Sequence, residues 1–521
     1  MTDPILIVGA GPTGLTAAFE LSRMGVPVRL VDRAEAPATT SRAIGVQART
    51  LELFEQRGLA AEMVRVGNPA RFGSIYGGGA RVFHLDFARI DSPYPYILFI
   101  SQAETERILR EALAGLAVEP EWGTELIGIG QNALSREPSP IHAILRHADG
   151  AMEHVRAPWL ISAEGAHSVV RTTLDLPYEG HTREEQYALG DVRIEGELAD
   201  TDFHIFSSEH GFMGLFPMGG DHFRLIASHP LSAPVKETEP ALGELQAIYD
   251  QRSHLPARFH DMAWSSWFRI NSRMVPRLKV GRLLLGGDVA HIHSPAGAQG
   301  MNTGIQDMVN LCWKLALVTS GQAPLSLLET YEQDRLPVMR GVLSCTDHLT
   351  DMIGSENAAV RAVFNHVGPY LGGAAFMQRN QTAGMSQIAL AYRDSPLSDH
   401  HHHGGSLHAG DRVPPLNVRH RTEGRWTDAP LSVLVDPSRF TLLLATRDGA
   451  EAPKALNAAL PEANCVAIMP AAGDVDRAHF DEAFGRECAV LVRPDGYAAL
   501  TSPLGSAADR LDNYRRTWLL Y

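Results

Sequence analysis

Six residues near the N-terminus, Gly9-Ala10-Gly11-Pro12-Thr13-Gly14, carry the spacing G-x-G-x-x-G. Such a turn can cradle a pyrophosphate. Gly9 allows the tight turn, Gly11 lets phosphate approach the backbone, and Gly14 lets helix and strand pack closely. A helix starting there offers free N–H groups and a partial positive charge to an anion. The elements that must hold the turn are legible on either side. Ile5-Leu6-Ile7-Val8 is a continuous apolar run, the pattern of a strand buried on both faces. Leu15 to Met24 reads as a helix burying Leu15, Ala18, Phe19, Leu21 and Ser22. A second strand, Val28-Arg29-Leu30-Val31, ends at Asp32 and Arg33. Asp32 stands 18 residues past Gly14, where a carboxylate can accept from a ribose hydroxyl. The ordered set predicts a dinucleotide site, against the alternative of a glycine turn without a ligand. It does not choose between a nicotinamide and a flavin dinucleotide.

A later segment bears on that choice. Leu283-Leu284-Leu285 reads as another buried strand, and Asp288 follows its C-terminal end. In open α/β sheets that edge binds ligands, and a carboxylate there can accept from a sugar or sugar-alcohol hydroxyl. The loop from Ser294 to Asn302 is built of small residues that permit close approach to a flat ring. It feeds a helix with Ile305, Met308, Val309, Cys312, Leu315 and Ala316 on one stripe and Gln306, Asp307, Asn310 and Lys314 outside it. The positive N-terminus of that helix suits an isoalloxazine that becomes anionic on reduction.

Composition narrows the rest. A chain of 521 residues implies more than one domain, and 46 Lys plus Arg against 60 Asp plus Glu give a net charge of −14. That balance argues against nucleic acid as a partner, because a phosphate backbone is bound by a basic surface. No apolar window is long enough to span a membrane, since the best, Met308 to Val318, contains Lys314. The N-terminus lacks the basic region of a signal peptide, so a cytoplasmic location is expected. Cys312, Cys345, Cys465 and Cys488 form no C-x-x-C and read as core fillers. The tract His400 to His403, with His408 nearby, lies in a Gly- and Pro-rich passage that gives no fixed ligand geometry, so no metal is expected. His291 and His293 flank the small-residue loop and can orient a ligand or titrate near neutrality, without an assigned catalytic role.

Three motifs in order, Gly9 to Gly14, Ser162-Ala163-Glu164-Gly165-Ala166-His167-Ser168-Val169-Val170-Arg171, and Gly287-Asp288 with the Pro295 to Asn302 loop, carry a resemblance. So do Ser41-Arg42-Ala43, Arg49-Thr50-Leu51-Glu52 and Gln102. Over about residues 1–345 the chain resembles the single-component FAD-dependent aromatic hydroxylases, the group of p-hydroxybenzoate, phenol and polyketide hydroxylases. The resemblance implies that Arg42 and Gln102 lie along FAD and that Asp288 meets the ribitol. It also implies that Pro295, Ala298, Gly300, Met301 and Asn302 back the flavin ring, while Gly9, Gly11, Pro12, Thr13, Gly14, Asp32 and Arg33 hold the adenosine diphosphate end. The middle motif, which serves FAD and NAD(P)H in the family, normally reads Asp-Gly; here it is Glu164-Gly165, which keeps the charge. An acidic turn after the strand Trp159-Leu160-Ile161 is the alternative.

The implied fold is α/β: a Rossmann-like FAD-binding domain (1–70, 100–175 and 275–345) interleaved with a mainly antiparallel β substrate domain (71–99 and 176–274). A helical connection (346–395) leads to a thioredoxin-like C-terminal domain (396–521) without C-x-x-C. The implied activity is an FAD-dependent monooxygenase that consumes NADH or NADPH and O2. It hydroxylates a phenolic or polycyclic aromatic substrate through a C4a-hydroperoxyflavin. Phe206, Phe216, Trp267 and Pro295 are the candidate substrate contacts, and no catalytic base is identified. Baeyer–Villiger-type insertion or other flavin oxidoreductase work on the same fold, and non-catalytic binding of flavin or an aromatic ligand, are the alternatives. The expected partners are a small aromatic substrate and O2, without nucleic acid or membrane, in a monomer or homodimer.

Overall fold

The continuous apolar runs do become the centre of a sheet. In a computed structural model of the chain, which describes residues 3–39, 43–130, 139–229, 234–295, 297–354, 381–422, 425–449 and 454–520, four parallel strands stand side by side. Their order is Leu283–Leu285, Leu160–Ser162, Ile5–Val8 and Val28–Val31, with the short antiparallel Lys279–Val280 on the outer edge. The side chains of the first three are buried on both faces, which is why these strands read as unbroken apolar runs. Parallel pairing has one consequence that matters most. The segments following Val8, Val31, Ser162 and Leu285 all emerge at the same edge of the sheet.

A second, eight-stranded sheet stands against this unit. Its order is His291–Ile292, Ala257–Met274, Glu179–Gly196, His222–Ser228, Gly211–Gly219, Asp202–Ser208, Phe72–Gly77 and Ala80–Asp86. All neighbours run antiparallel except Asp202–Ser208 with Phe72–Gly77. The hairpin read at Gly219-Gly220-Asp221 is present, with both glycines at positive φ. The C-terminal residues form a seven-stranded mixed sheet that includes the buried strands Thr441–Ala445 and Cys488–Val492. The His-rich passage feeds its edge: Asp399–His400 pairs in parallel with Leu500 and Thr501.

The helix Gly300–Thr319 departs from its expected amphipathic form. Gln306, Asp307, Asn310 and Lys314, placed outside the apolar stripe by the sequence, are all buried, none more than 4% exposed. The helix Glu329–Gly354, which runs unbroken across residues 345 and 346, and the C-terminal sheet cover that polar face. Each buried charge there is matched. Lys314 Nζ lies 2.9 Å from Asp334 Oδ2, and Arg493 Nη2 lies 3.1 Å from the same oxygen while also donating to Asp495. Asn310 Nδ2 donates to Asp334 at 3.0 Å and to Asp495 at 3.2 Å. The Arg493 guanidinium also stacks 5.0 Å from the Tyr392 ring centre and 5.7 Å from that of Trp313. Burial pushes the Lys314 ammonium down to about 8 against the pull of Asp334. Arg49 ties in from the first unit, donating to Asp495 O at 2.9 Å and pairing with Glu52 at 3.1 Å.

A buried ion network of this kind is costly to break from one side, because the partner charges stay behind in a low dielectric. Replacing Arg493 with Met is therefore expected to destabilise the protein by about 3–5 kcal/mol. Urea unfolding of both proteins measures this, and an unchanged midpoint would contradict it.

Candidate cofactor and substrate site

The glycine turn follows Ile5–Val8 and starts the helix Pro12–Arg23, whose first turn has no acidic residue and no side-chain cap. Its N–H groups are therefore open to a ligand. The three glycines have separate reasons to be glycine. At Gly9, with φ +103°, a Cβ would lie 2.2 Å from Ala163 O. At Gly14 it would lie 1.8 Å from Gly9 O. Both are demanded by the fold. Gly11 has an ordinary φ of −75°, and a Cβ there would meet nothing within 4 Å. Packing does not require a glycine at 11; a ligand held against the backbone does, so the cradle fits a pyrophosphate. Asp32 is fixed at the same edge by accepting from Ala10 N at 2.6 Å and Ala34 N at 2.8 Å. Arg33 beside it is exposed.

The late motif meets the early one through Thr13. A Cβ on Gly287 or on Gly304 would each lie 2.5 Å from Thr13 Oγ1, so the turn Gly287–Val289 and the helix Gly300–Thr319 both close onto the glycine turn. Asp288 is exposed on that turn, and its carbonyl accepts from Tyr178 Oη at 2.8 Å. Asp307, which sequence reasoning did not assign to the site, anchors the turn. Its Oδ2 accepts from Gly287 N at 3.2 Å and lies 2.8 Å from His291 Nε2, and its Oδ1 takes Arg335 Nε at 2.8 Å. Asn302 zips the loop down, donating to Gly45 O and Ala298 O, both at 2.8 Å, and accepting from Gln47 N at 2.9 Å. Gln47, another residue missed, is fully buried and donates to Gly297 O at 2.7 Å. Gly297 and Ala298 hold φ of +81° and +51°, so this loop is bent sharply between the two units. Pro295 is exposed, Gly300 opens a helix with no first-turn acid, and Met301 packs against the core under it.

Gln102 begins the helix Gln102–Ala114 and exchanges bonds with Ala43: its N–H donates to Ala43 O at 3.1 Å and its Oε1 accepts from Ala43 N at 3.4 Å. Its Nε2 donates 2.8 Å to Glu106, whose carboxyl is raised by burial and, less, by the charge of Asp32. Arg42 lies outside the described residues. Glu164 is pinned within its own turn: its oxygens accept from Ser162 Oγ at 2.6 Å, Ser168 Oγ at 2.7 Å, Val169 N at 2.9 Å and Val170 N at 3.3 Å. Gly165, at φ +80°, presents open backbone next to it. Arg171 ends the motif by donating to Val289 O at 3.3 Å and stacking 4.1 Å over Tyr178. The middle motif is thereby tied to the Asp288 turn.

A cavity of about 270 Å³ lies between the eight-stranded sheet and the small-residue loop. Phe99, Phe203, Ile205, Phe216 and Ile226 line it on one side, Pro295 and Ala298 on the other, and Leu349 and Thr350 close an end. Among the described lining residues none is charged. Two of the four expected substrate contacts, Phe216 and Pro295, belong to it; Phe206 and Trp267 do not. Side chains alternate along a strand, and with Phe203 and Ile205 facing the cavity, Phe206 turns to the other face. There it stacks on Tyr76 at 4.8 Å, and Trp267 packs in the same layer, edge-on to His229 at 5.2 Å. A larger cavity, about 800 Å³, opens beside Pro27, Trp159 and Arg282 at the opposite edge of the parallel sheet, away from every motif. Size alone does not mark the site. His293 sits behind the loop, and burial pushes its imidazole down to about 4. Among the described residues no group of His, Cys, Asp or Glu is placed to hold a metal ion, His400 to His403 included. No helix among them is long and apolar enough to cross a membrane.

Two outcomes follow. Gly11→Val is expected to fold with the melting behaviour of the parent yet lose FAD affinity by roughly tenfold or more, because its side chain fills the cradle alone; retained FAD on titration would contradict the assignment. His293 is neutral in the folded state and protonated in the unfolded state between about 4 and 6.5. The unfolded chain then binds more protons, so stability falls as pH drops through that window. Urea midpoints between pH 7 and 4 should show this slope, and His293→Gln should flatten it.

Comparison with known proteins agrees with this geometry. Residues 2–346 match the family described as FAD binding domain, and residues 406–519 match aromatic-ring hydroxylase, C-terminal. The chain is 36% identical to 6-methylpretetramide 4-monooxygenase of Streptomyces rimosus, across 95% of this chain and 90% of that one. It is 34% identical to pentachlorophenol 4-monooxygenase of Sphingobium chlorophenolicum, across 87% and 81%. The solved structure of OxyS anhydrotetracycline hydroxylase from Streptomyces rimosus superposes with a TM-score of 0.77 at 28% identity, covering 99% of both chains. With the glycine cradle, the Asp288 turn and the apolar cavity converging on one sheet edge, the chain belongs to the FAD-dependent aromatic-ring hydroxylase family of flavoprotein monooxygenases.

Proposed function

We propose that this protein hydroxylates a neutral phenolic or polycyclic aromatic compound, drawing on FAD, O2 and either NADH or NADPH. One observation carries the reading: Pro295 and Ala298 form a wall of the apolar cavity while their loop closes onto the glycine cradle through Asn302, Gly304 and Thr13. The residues that back the flavin in this reading thus also face the ligand. Bound FAD would supply the redox and oxygen-activating chemistry, taking hydride from the nicotinamide and passing one oxygen atom to the ring. Gly9 to Gly14 and Asp32 would hold its adenosine diphosphate end, and Asp288 its ribitol.

The chain's own part is positioning and exclusion. Phe99, Phe203, Phe216 and Ile226 keep water from the reacting centre and hold a flat ring against the loop. An apolar wall favours an uncharged aromatic over a carboxylate, which would enter without a cation to meet it. Relatives named for 6-methylpretetramide and pentachlorophenol support an aromatic substrate. The nicotinamide docks in this reading without a dinucleotide fold of its own. We read the C-terminal unit as thioredoxin-like and structural: its thiols are unpaired, and burial pushes Cys465 up to about 11 and Cys488 up to about 12, which leaves them protonated.

The test is oxygen incorporation. Protein supplied with NADPH or NADH, 18O2 and a panel of phenols and hydroxyanthraquinones should yield a product carrying one labelled oxygen. Nicotinamide oxidation without labelled product from any of them would overturn the reading. A charge in the cavity, Ile205→Lys, is expected to leave FAD content intact and lower aromatic-stimulated NAD(P)H oxidation by roughly tenfold or more.

A further inference from the structure

The cavity has a polar corner at Ser294 and Thr350, and polar groups lead from it to the surface. Ser294 and Thr350 both line the cavity, with their hydroxyl oxygens 2.7 Å apart. Beside Ser294 stands His293. Its Nδ1 lies 2.9 Å from Ser294 O; a carbonyl can only accept, so Nδ1 carries the proton and Nε2 a lone pair. That Nε2 is shut off from solvent and has no hydrogen-bond partner among the described residues. The ladder pairs Arg273 with Ile292 and Met274 with His291 and ends there, so Ser272 and His293 are the next residues beyond the same end of that pairing. Ser272 Oγ donates 2.8 Å to Asp347 Oδ2. Asp347 Oδ1 is a second enclosed atom without a hydrogen-bond partner among the described residues.

Asp347 lies three residues before Thr350 on the helix Glu329–Gly354, hence on the same helix face. Outward from it, Arg183 Nη2 lies 3.9 Å from Asp347 Oδ1 and 2.7 Å from Asp351 Oδ1, whose side chain is 66% exposed. A buried lone pair and a buried carboxylate oxygen, both lacking a bonded donor among the described residues, thus stand between an apolar cavity and solvent. Leaving such atoms unpaired costs stability and calls for a function.

We propose that His293 and Asp347 form a proton outlet, entered at the Ser294–Thr350 hydroxyl pair and leaving at the Arg183–Asp351 ion pair, that ionises a phenol held in the cavity. The inference rests on the cavity being a phenol site. The phenol O–H bond breaks and its proton joins the hydroxyl pair, while a hydroxyl proton of that pair passes through a bridging water to His293 Nε2. From there a second water carries a proton to Asp347 Oδ1 and out to solvent. The phenol oxygen keeps the electron pair, and nothing is oxidised or reduced. The groups facing His293 suit rapid passage rather than storage. His291 stacks 6.4 Å away on its own strand, and the positive start of the helix Gly300–Thr319 abuts the ring, both opposing a lasting imidazolium. Asp347, from the facing helix, draws the proton onward. Arg183, from the strand Glu179–Gly196, keeps Asp347 oriented. His293 and Asp347 act through the hydroxyl pair and are positioning residues for proton flow.

The experiment uses the FAD-loaded full chain and alizarin, a dihydroxyanthraquinone whose visible spectrum reports its ionisation. After a pH jump in a stopped-flow mixer, bound alizarin should ionise roughly tenfold or more slowly in Thr350→Val and Asp347→Asn than in the parent. Thr350→Ser, which restores the hydroxyl, should recover the parent rate, FAD content should hold throughout, and all rates are compared at saturating alizarin. Equal rates in all four proteins overturn the outlet, as does a slow Asp347→Asn that has lost FAD beside an unaffected Thr350→Val. Alizarin that fails to bind, or binds Ile205→Lys as tightly as the parent, overturns instead the reading of the cavity as an aromatic site.

Discussion

The molecule depends on a close approach of backbone around one small side chain. Thr13 stands between Gly287 and Gly304, and a methyl group on either would intrude to 2.5 Å from its hydroxyl. Residues nearly three hundred positions apart are thereby held at one edge of a parallel sheet. The uncapped start of the first helix, the Asp32 carboxylate and the Asp288 turn then stand at that common edge. Parallel pairing brings the strand ends together, and the two glycines let them touch. Any side chain at these positions would separate the halves of the candidate cofactor site.

Behind this contact the helix Gly300–Thr319 is held from its polar side by matched charges. Asp307 secures the Gly287 N–H and His291 at one end, and Lys314, Asp334, Arg493 and Asp495 form a fully buried network further along. Buried ion pairs of this kind add little stability over well-packed apolar groups, but losing one partner is severe. Their effect here is registration: the helix whose start faces the cofactor loop is fixed against both the first unit and the C-terminal sheet. That sheet is therefore coupled to the site although it contributes no lining residue to the cavity.

Much of this was legible in the residues. The parallel strands announced themselves as apolar runs, and Gly9 and Gly14 have the turn and packing duties their spacing assigns. What stayed hidden has physical reasons. Gln306, Asp307, Asn310 and Lys314 read as a solvated face because their partners, Asp334, Arg335 and Arg493, lie far along the chain and no local pattern announces them. Phe206 and Phe216 were indistinguishable in advance. Alternation says that strand neighbours face opposite ways, yet only the packed sheet decides which face covers the loop. Glu164 could be read either as a cofactor ligand or as a local cap, and the partners of its four hydrogen bonds, Ser162, Ser168, Val169 and Val170, pin it within its own turn.

Hydrogen–deuterium exchange of the flavin-stripped protein, with and without added FAD, tests the central claim most directly. The account predicts new protection at the Gly9 to Gly14 turn, the Asp32 segment and residues 286–304. Binding that leaves those three segments exchanging as before, or protects the cavity beside Trp159 and Arg282 instead, would contradict it.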